Sequence, residues 1–168
     1  MLKILRWDEP VKADIKFDFY VPVTIDWGIR AGEIIYWRTG DLTYSLLELG
    51  MDSKDGRIAS FTLVSFSNIT GMDSSCSMET VLSNGLPVFD IPNHLTPLIW
   101  ENRFIDHRED FKVCLWKEYV EIQFANFNPD WVQYAQSGRV LFGQDKKQQL
   151  CAIGVTALTT YELQELKS

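Results

Sequence analysis

Cys76 and His94 are the residue types of a nucleophile and its base. A reactive thiolate needs a cation or a helix N-terminus to hold its charge. Asp73 and Glu79 flank Cys76 and work against that, and the serines around it form no G-x-S-x-G elbow. His107-Arg108-Glu109-Asp110 has part of the His-Arg-Asp pattern of a kinase catalytic loop. That chemistry also needs a Gly-rich loop, a strand lysine and an Asn after the Asp, and none is present, so a solvated charged turn is the better reading. Asp52-Ser53-Lys54-Asp55-Gly56 resembles half of a calcium loop, but Lys54 stands where an EF-hand requires an acid. His94 and His107 join no H-E-x-x-H or carboxylate cluster, and Cys76, Cys114 and Cys151 form no C-x-x-C pair. No metal site and no cofactor is expected. Paired carboxylates remain as an alternative chemistry, because their separation is set by the fold.

Charge is the stronger signal. From Ile58 to Asn102 there is no Lys or Arg over 45 residues, while Asp73, Glu79, Asp90 and Glu101 are all there. Asp106, Glu109 and Asp110 follow, so residues 61–110 hold seven acids against two bases, most of the net charge of −7. Such a field repels nucleic-acid phosphates and attracts a basic protein. Trp100, next to Glu101, adds an aromatic ring beside a charge, which is typical anchor chemistry at protein interfaces. The candidate binding residues are therefore Asp73, Glu79, Asp90, Trp100, Glu101, Asp106, Glu109 and Asp110. The plainer account of the same stretch is an insertion that covers a sheet edge.

The elements that must position these residues read mainly as strands. Ile15, Phe17, Phe19 and Val21 alternate with polar neighbours up to Pro22, and Glu33–Trp37 is a short β-branched and aromatic run. Residues 44–51 and 58–66 alternate about Asp55-Gly56, a dipeptide that supplies positive φ, and predict an antiparallel hairpin. FKVCLW with YVEIQF predicts a second hairpin, and RVLFG with QLCAIGVTAL a third. NFNPDWVQYAQSG between them reads as loop with a helical turn after Pro129, and SMETVLSNG as a short helix capped at Ser77. Thr159 and Glu162 have the spacing of a capping box and predict a short C-terminal helix.

One internal echo links the first and last hairpins: Gly50, Asp52 and Lys54 match Gly143, Asp145 and Lys147. Shared turn chemistry is the plainer account, and a duplicated β-unit the other. Residues 67–110 show only broken periodicity, and a loop of that length is usually functional. Its apolar residues, Phe89, Ile91, Leu95, Leu98 and Ile99 among them, predict that it packs on the sheets while exposing its acids.

A chain of 168 residues fits a single domain, residues 1–168, with 67–110 as its irregular acidic segment. No apolar run approaches the roughly 20 residues of a membrane span. The N-terminus lacks the long apolar core of a secretory signal. An odd number of scattered cysteines argues against a disulfide framework, and Cys114 and Cys151 lie in apolar runs suited to small core residues. The expected location is cytoplasmic.

YSLLELGMDSKDGRIASFTLVSF and the closing LTTYELQEL together resemble small, β-rich bacterial proteins that accompany toxins of polymorphic toxin systems. The resemblance implies an acidic, single-domain, non-catalytic immunity protein that neutralises a toxin by covering its basic active site. It carries over no functional residue. The expected fold is mainly β (α+β): an antiparallel sheet or sandwich built from hairpins, with a long irregular insertion and a short C-terminal helix. The expected function is a soluble inhibitor of a basic protein partner such as a toxin. The alternative is a small carboxylate-using enzyme or ligand-binding domain with a sheet-lined cleft.

Overall fold

Period-two alternation dominates the chain, and a computed structural model turns it into fifteen strands with one helix among the described residues. The structure describes residues 1–29, 32–67, 69–71, 81–91 and 103–167. The first large sheet is built from β2 (Asp14–Lys16), β3 (Val23–Asp26), β4 (Ile34–Thr39), β5 (Leu46–Asp52), β6 (Ile58–Ser65) and β10 (Phe104–His107). Its order is β10-β4-β5-β6-β3-β2. The second contains β7 (Ile69–Gly71), β8 (Val81–Asn84), β11 (Phe111–Leu115), β12 (Tyr119–Phe124), β13 (Gln133–Ser137), β14 (Val140–Gln144) and β15 (Leu150–Thr156). Its order is β7-β11-β12-β15-β14-β13-β8. A two-stranded sheet pairs β1 (Ile4–Asp8) with β9 (Leu86–Phe89).

The three predicted hairpins are all present. β5 pairs antiparallel with β6, β11 with β12, and β14 with β15. The helix α1 (Thr160–Lys167) starts on the predicted capping box. The Thr159 N–H donates to Glu162 Oε2 at 2.7 Å, and the Glu162 N–H donates to Thr159 Oγ1 at 3.3 Å. Arg139 then fastens α1 to the second sheet, holding Glu162 through both Nη atoms and donating from Nε to the Thr156 carbonyl.

Four expectations are corrected. The 67–110 segment is not wholly irregular: its described residues hold β7, β8, β9 and β10. Val81–Asn84 is strand, where a helix was expected to end. Gln133–Ser137 is strand rather than loop, after a turn in which Trp131 and Val132 N–H both donate to the Asn128 carbonyl. The strand expected up to Pro22 stops at Lys16, because Asp18 Oδ1 captures the Tyr20 N–H at 2.8 Å in a local turn.

The two large sheets repeat one plan. In each, a hairpin (β2–β3 or β11–β12) joins a three-strand meander (β4–β5–β6 or β13–β14–β15) through its second strand. In each, a parallel strand closes the far edge, β10 beside β4 and β8 beside β13. The register agrees: Tyr36, Gly50 and Ser60 stand in one row, and Tyr134, Gly143 and Ala152 in the matching row. Asp52 Oδ1 accepts the Lys54 N–H at 2.8 Å, and Asp145 Oδ1 accepts the Lys147 N–H at the same distance. Gly56 and Gln148 both take positive φ, +75° and +61°, at the ends of these turns. The Phe89 N–H then reaches the Gly56 carbonyl, and the Ile4 N–H the Gln148 carbonyl. The echo in the sequence is thus the visible part of a repeated β-unit.

The units are also interlocked. Thr39 Oγ1, at the end of β4, donates to the Glu109 carbonyl in the lead-in to β11 at 2.9 Å. Ser137 Oγ, at the end of β13, donates to the Val11 carbonyl in the lead-in to β2 at 2.8 Å. Both hydroxyls are buried. Between the sheets lies one apolar cluster that includes Ile25, Trp37, Leu49 and Phe61 from the first and Val113, Ile122, Phe142 and Ile153 from the second. Trp37 meets Phe124 edge-on at 6.0 Å, and Trp27 meets Phe142 at 5.7 Å. Each fully buried side chain of this size contributes roughly 1.5–3 kcal/mol relative to exposure.

Candidate functional site

The first sheet turns Ile35, Trp37, Leu47 and Leu49 inward, so strict alternation sends Tyr36, Arg38 and Glu48 outward. Register places two rows across that outer face. One runs Asp106, Arg38, Glu48, Thr62, Thr24, Lys16, and the other Phe104, Tyr36, Gly50, Ser60, Asp26, Asp14. Four carboxylates thus share the face with two bases.

Arg38 is its organising residue. Its Nε and Nη2 donate to Asp106 Oδ1 and Oδ2 at 2.7 and 3.1 Å, a bidentate pair. Its guanidinium lies 4.2 Å from the Phe104 ring centroid, and Phe104 lies 5.7 Å from Tyr36. The hydrogen bond to Asp106 is the main reason the Arg38 pKa stands above its ordinary value. Burial opposes it, and the charges of Asp106 and Glu48 add to it. The result is a polar face with an Arg–Phe–Tyr cluster near one edge.

The outer face of the second sheet has the same register and the opposite character. Its rows carry Cys114, Glu121, Gly154 and Leu141, then Lys112, Gln123, Ala152 and Gly143. Glu121 is 2 % exposed. Its Oε1 accepts the hydroxyls of Tyr119 and Tyr134, each at 2.6 Å, and its Oε2 accepts Gln123 Nε2 at 2.7 Å. Tyr119 lies over Gly154, where a Cβ would meet its ring at 2.5 Å, and a Cβ on Gly143 would meet Val132 Cγ2 at 2.8 Å and Ala152 Cβ at 3.0 Å before the Tyr134 ring at 3.2 Å. At Gly154 the Tyr119 ring takes the space of a side chain, and at Gly143 the neighbouring Val132 and Ala152 do. Two tyrosine hydroxyls and a glutamine amide from β12 and β13 thus enclose this buried carboxylate, and the cluster seals this part of the face.

Among the described residues of the expected binding set, Asp106 alone has its place by register on the outer face of the first sheet, where Arg38 neutralises it. Glu109 Oε2 accepts the His107 Nε2–H at 2.8 Å, and its carbonyl belongs to the interlock. Asp110 is exposed just before β11. Asp90 is exposed after β9, its N–H bonded to the Lys3 carbonyl. Three of these four thus lie on or just after β10, and Asp90 follows β9. Asp73, Glu79, Trp100 and Glu101 lie outside the described residues, as do Cys76 and His94.

The residues that the sequence reading passed over are Arg38, Glu48, Asp14, Asp26, Tyr36 and Phe104. The signal for three of them was present in EIIYWRT and YSLLELG, whose alternation sets Tyr36, Arg38 and Glu48 opposite the apolar positions. Among the described residues no group of His, Cys, Asp and Glu could hold a metal, and no helix is long and apolar enough to cross a membrane. No family model matches the chain, and no curated protein matches it in sequence.

Proposed function

We propose that this protein is a non-catalytic binding module, an immunity-type inhibitor that covers a basic protein partner such as a toxin. The observation that carries the reading is the contrast between two sheets of one plan. One outer face is sealed by its own tyrosines, and the other is left open with Asp14, Asp26, Glu48 and the Arg38–Phe104–Tyr36 cluster upon it. An acid-weighted sheet face suits a protein surface better than a small molecule, which needs a concave pocket. Asp73, Glu79, Asp90, Trp100 and Glu101, from the stretch of sequence without Lys or Arg, extend the proposal as further candidate contacts.

The test is association with the product of the neighbouring gene, for the natural protein and for Asp14→Lys with Asp26→Lys and Glu48→Lys. Complementary charge acts mainly on encounter, so the on-rate should fall by about tenfold or more and lose its salt dependence. Trp100→Ala should instead raise the off-rate. Unchanged association in a triple variant that keeps its fold would remove the first sheet from the reading.

A further inference from the structure

Strand for strand, the two large sheets match except at one edge. β10 corresponds to β8, β4–β5–β6 to β13–β14–β15, β3 to β12 and β2 to β11. Register carries the match to single residues. Asp26 continues the row of Tyr36, Gly50 and Ser60, as Gln123 continues that of Tyr134, Gly143 and Ala152. Asp14 faces Asp26 as Lys112 faces Gln123, so Ile15 stands for Val113 and Lys16 for Cys114. The second sheet goes on past β11 with the parallel strand β7, which sets Ile69 beside Val113 and Thr70 beside Cys114. Among the described residues no strand takes that place beside β2.

The difference is visible in burial. Val113 is 1 % exposed, while Ile15, packed against the same core, is only partly buried. It is visible in the backbone as well. The Trp27 N–H donates to the Ala59 carbonyl at 3.1 Å, and bonded pairs alternate along an antiparallel ladder. Ile25 therefore bonds to β6, and Thr24 and Asp26 bond to Lys16 and Asp14. That leaves the Ile15 N–H and C=O pointing away from the sheet, with no described group bonded to them. Such an edge is a template for another strand. On the outer face Asp14 and Asp26 stand directly opposite each other, with Lys16 3.3 Å from Asp14. Like charges so placed repel, and a second base beside Asp14 relieves them.

We propose that the β2 edge is completed by an extended segment of a protein partner, added in parallel as β7 is added to β11. The residue beside Ile15 is β-branched and apolar, as Ile69 is beside Val113. The residue before it is Lys or Arg, on the outer face beside Asp14. Main-chain hydrogen bonds to Ile15 give affinity, and these two side chains give choice. This inference rests on the reading of the chain as an inhibitor of a basic protein, and it supplies the contact by which that partner joins the open face.

The capped heptapeptide Gly-Val-Arg-Ile-Thr-Val-Gly tests it, read by backbone amide resonances and hydrogen exchange of the natural protein. The expected result is a shift of the Ile15 amide and exchange slowed by about tenfold or more. The same peptide N-methylated at Thr, which cannot donate to the Ile15 carbonyl, should bind about tenfold or more weakly. Ile15→Pro removes the outward N–H, leaves the bonds to β3 in place and should weaken binding to a similar degree. Equal binding of the two peptides overturns strand addition. So does an Ile15 amide already protected in the free protein, which would show the edge covered by the chain itself. Dimerisation that Ile15→Pro abolishes assigns the edge to a second copy and also overturns the proposal. If the product of the neighbouring gene binds Ile15→Pro as tightly as the natural protein, the edge falls and the reading of the chain stands. If that product binds neither protein, both fall.

Discussion

Glu48 and Glu121 stand in corresponding rows of two sheets built on one plan, and their surroundings could hardly differ more. Glu48 lies on an open face beside Arg38, while Glu121 is enclosed by two tyrosine hydroxyls and a glutamine amide. The same backbone thus supports a surface and a seal. What decides between them is side-chain size at a few positions. Gly154 of the second sheet gives Tyr119 a place to lie flat, whereas the first sheet has Thr62 facing Glu48. The seal ties the second sheet together, and the first sheet is released from that duty.

The comparison assumes a common inner face, and the largest effect should come from breaking it. Phe142→Ala removes the ring that meets Trp27 and Trp7 and should destabilise the fold by about 3–5 kcal/mol in urea unfolding. A loss below about 1 kcal/mol would mean that the sheets do not share one core.

Glu121→Gln and Glu48→Gln sharpen the contrast directly. The first sets an amide N–H against the Gln123 amide inside the seal and should cost about 1–3 kcal/mol. The second lies on the open face and should stay within about 0.5 kcal/mol. Equal effects would dissolve the distinction between surface and seal.

The interlock gives a finer pair. Ser137→Ala loses both the bond to the Val11 carbonyl and the acceptor of the Val11 N–H, and should cost about 1–3 kcal/mol. Thr39→Val should cost less, because the Gly40 N–H still donates to the Glu109 carbonyl. The reverse order would refute the equivalence drawn between the two hydroxyls.

The smallest effect concerns Cys151, which is fully buried in β15. Burial, with help from the charges of Asp145 and Glu121, pushes its thiol pKa from 9.0 up to about 12. The unfolded chain therefore ionises first as pH rises. The thiol's contribution to stability is whole below pH 9 and declines between there and about pH 12. At pH 8 a thiol reagent should label Cys151 only as fast as the protein opens, and prompt labelling would contradict its burial.

The three hairpins were legible because each strand is five to eight residues of alternating pattern around turn-forming residues. β7, β8 and β10 were not. They have three or four residues, and each takes its partner in parallel from a distant part of the chain, which no local pattern records. β13 hid behind polar residues, with Ala135 its one apolar inward position. Phe19 and Tyr20 misled for another reason: the alternation was real, but the Asp18 side chain outcompeted the ladder for a backbone N–H. The site was the least legible part. Arg38 and Asp106 are 68 positions apart, and only the parallel pairing of β10 with β4 makes them one group.

That pairing also has a consequence in time. When β6 has left the ribosome, ending at Ser65, the first sheet still lacks its edge strand, which is complete only at His107. At roughly 5–20 residues per second, translation needs about 2–8 s to supply it. Through that interval the nascent chain carries β4 with one side unpaired, a template for any passing strand. The paucity of Lys and Arg across the intervening stretch leaves its acids to repel other acidic chains, including copies of itself on neighbouring ribosomes. The acidic stretch can thus act as a guard during synthesis.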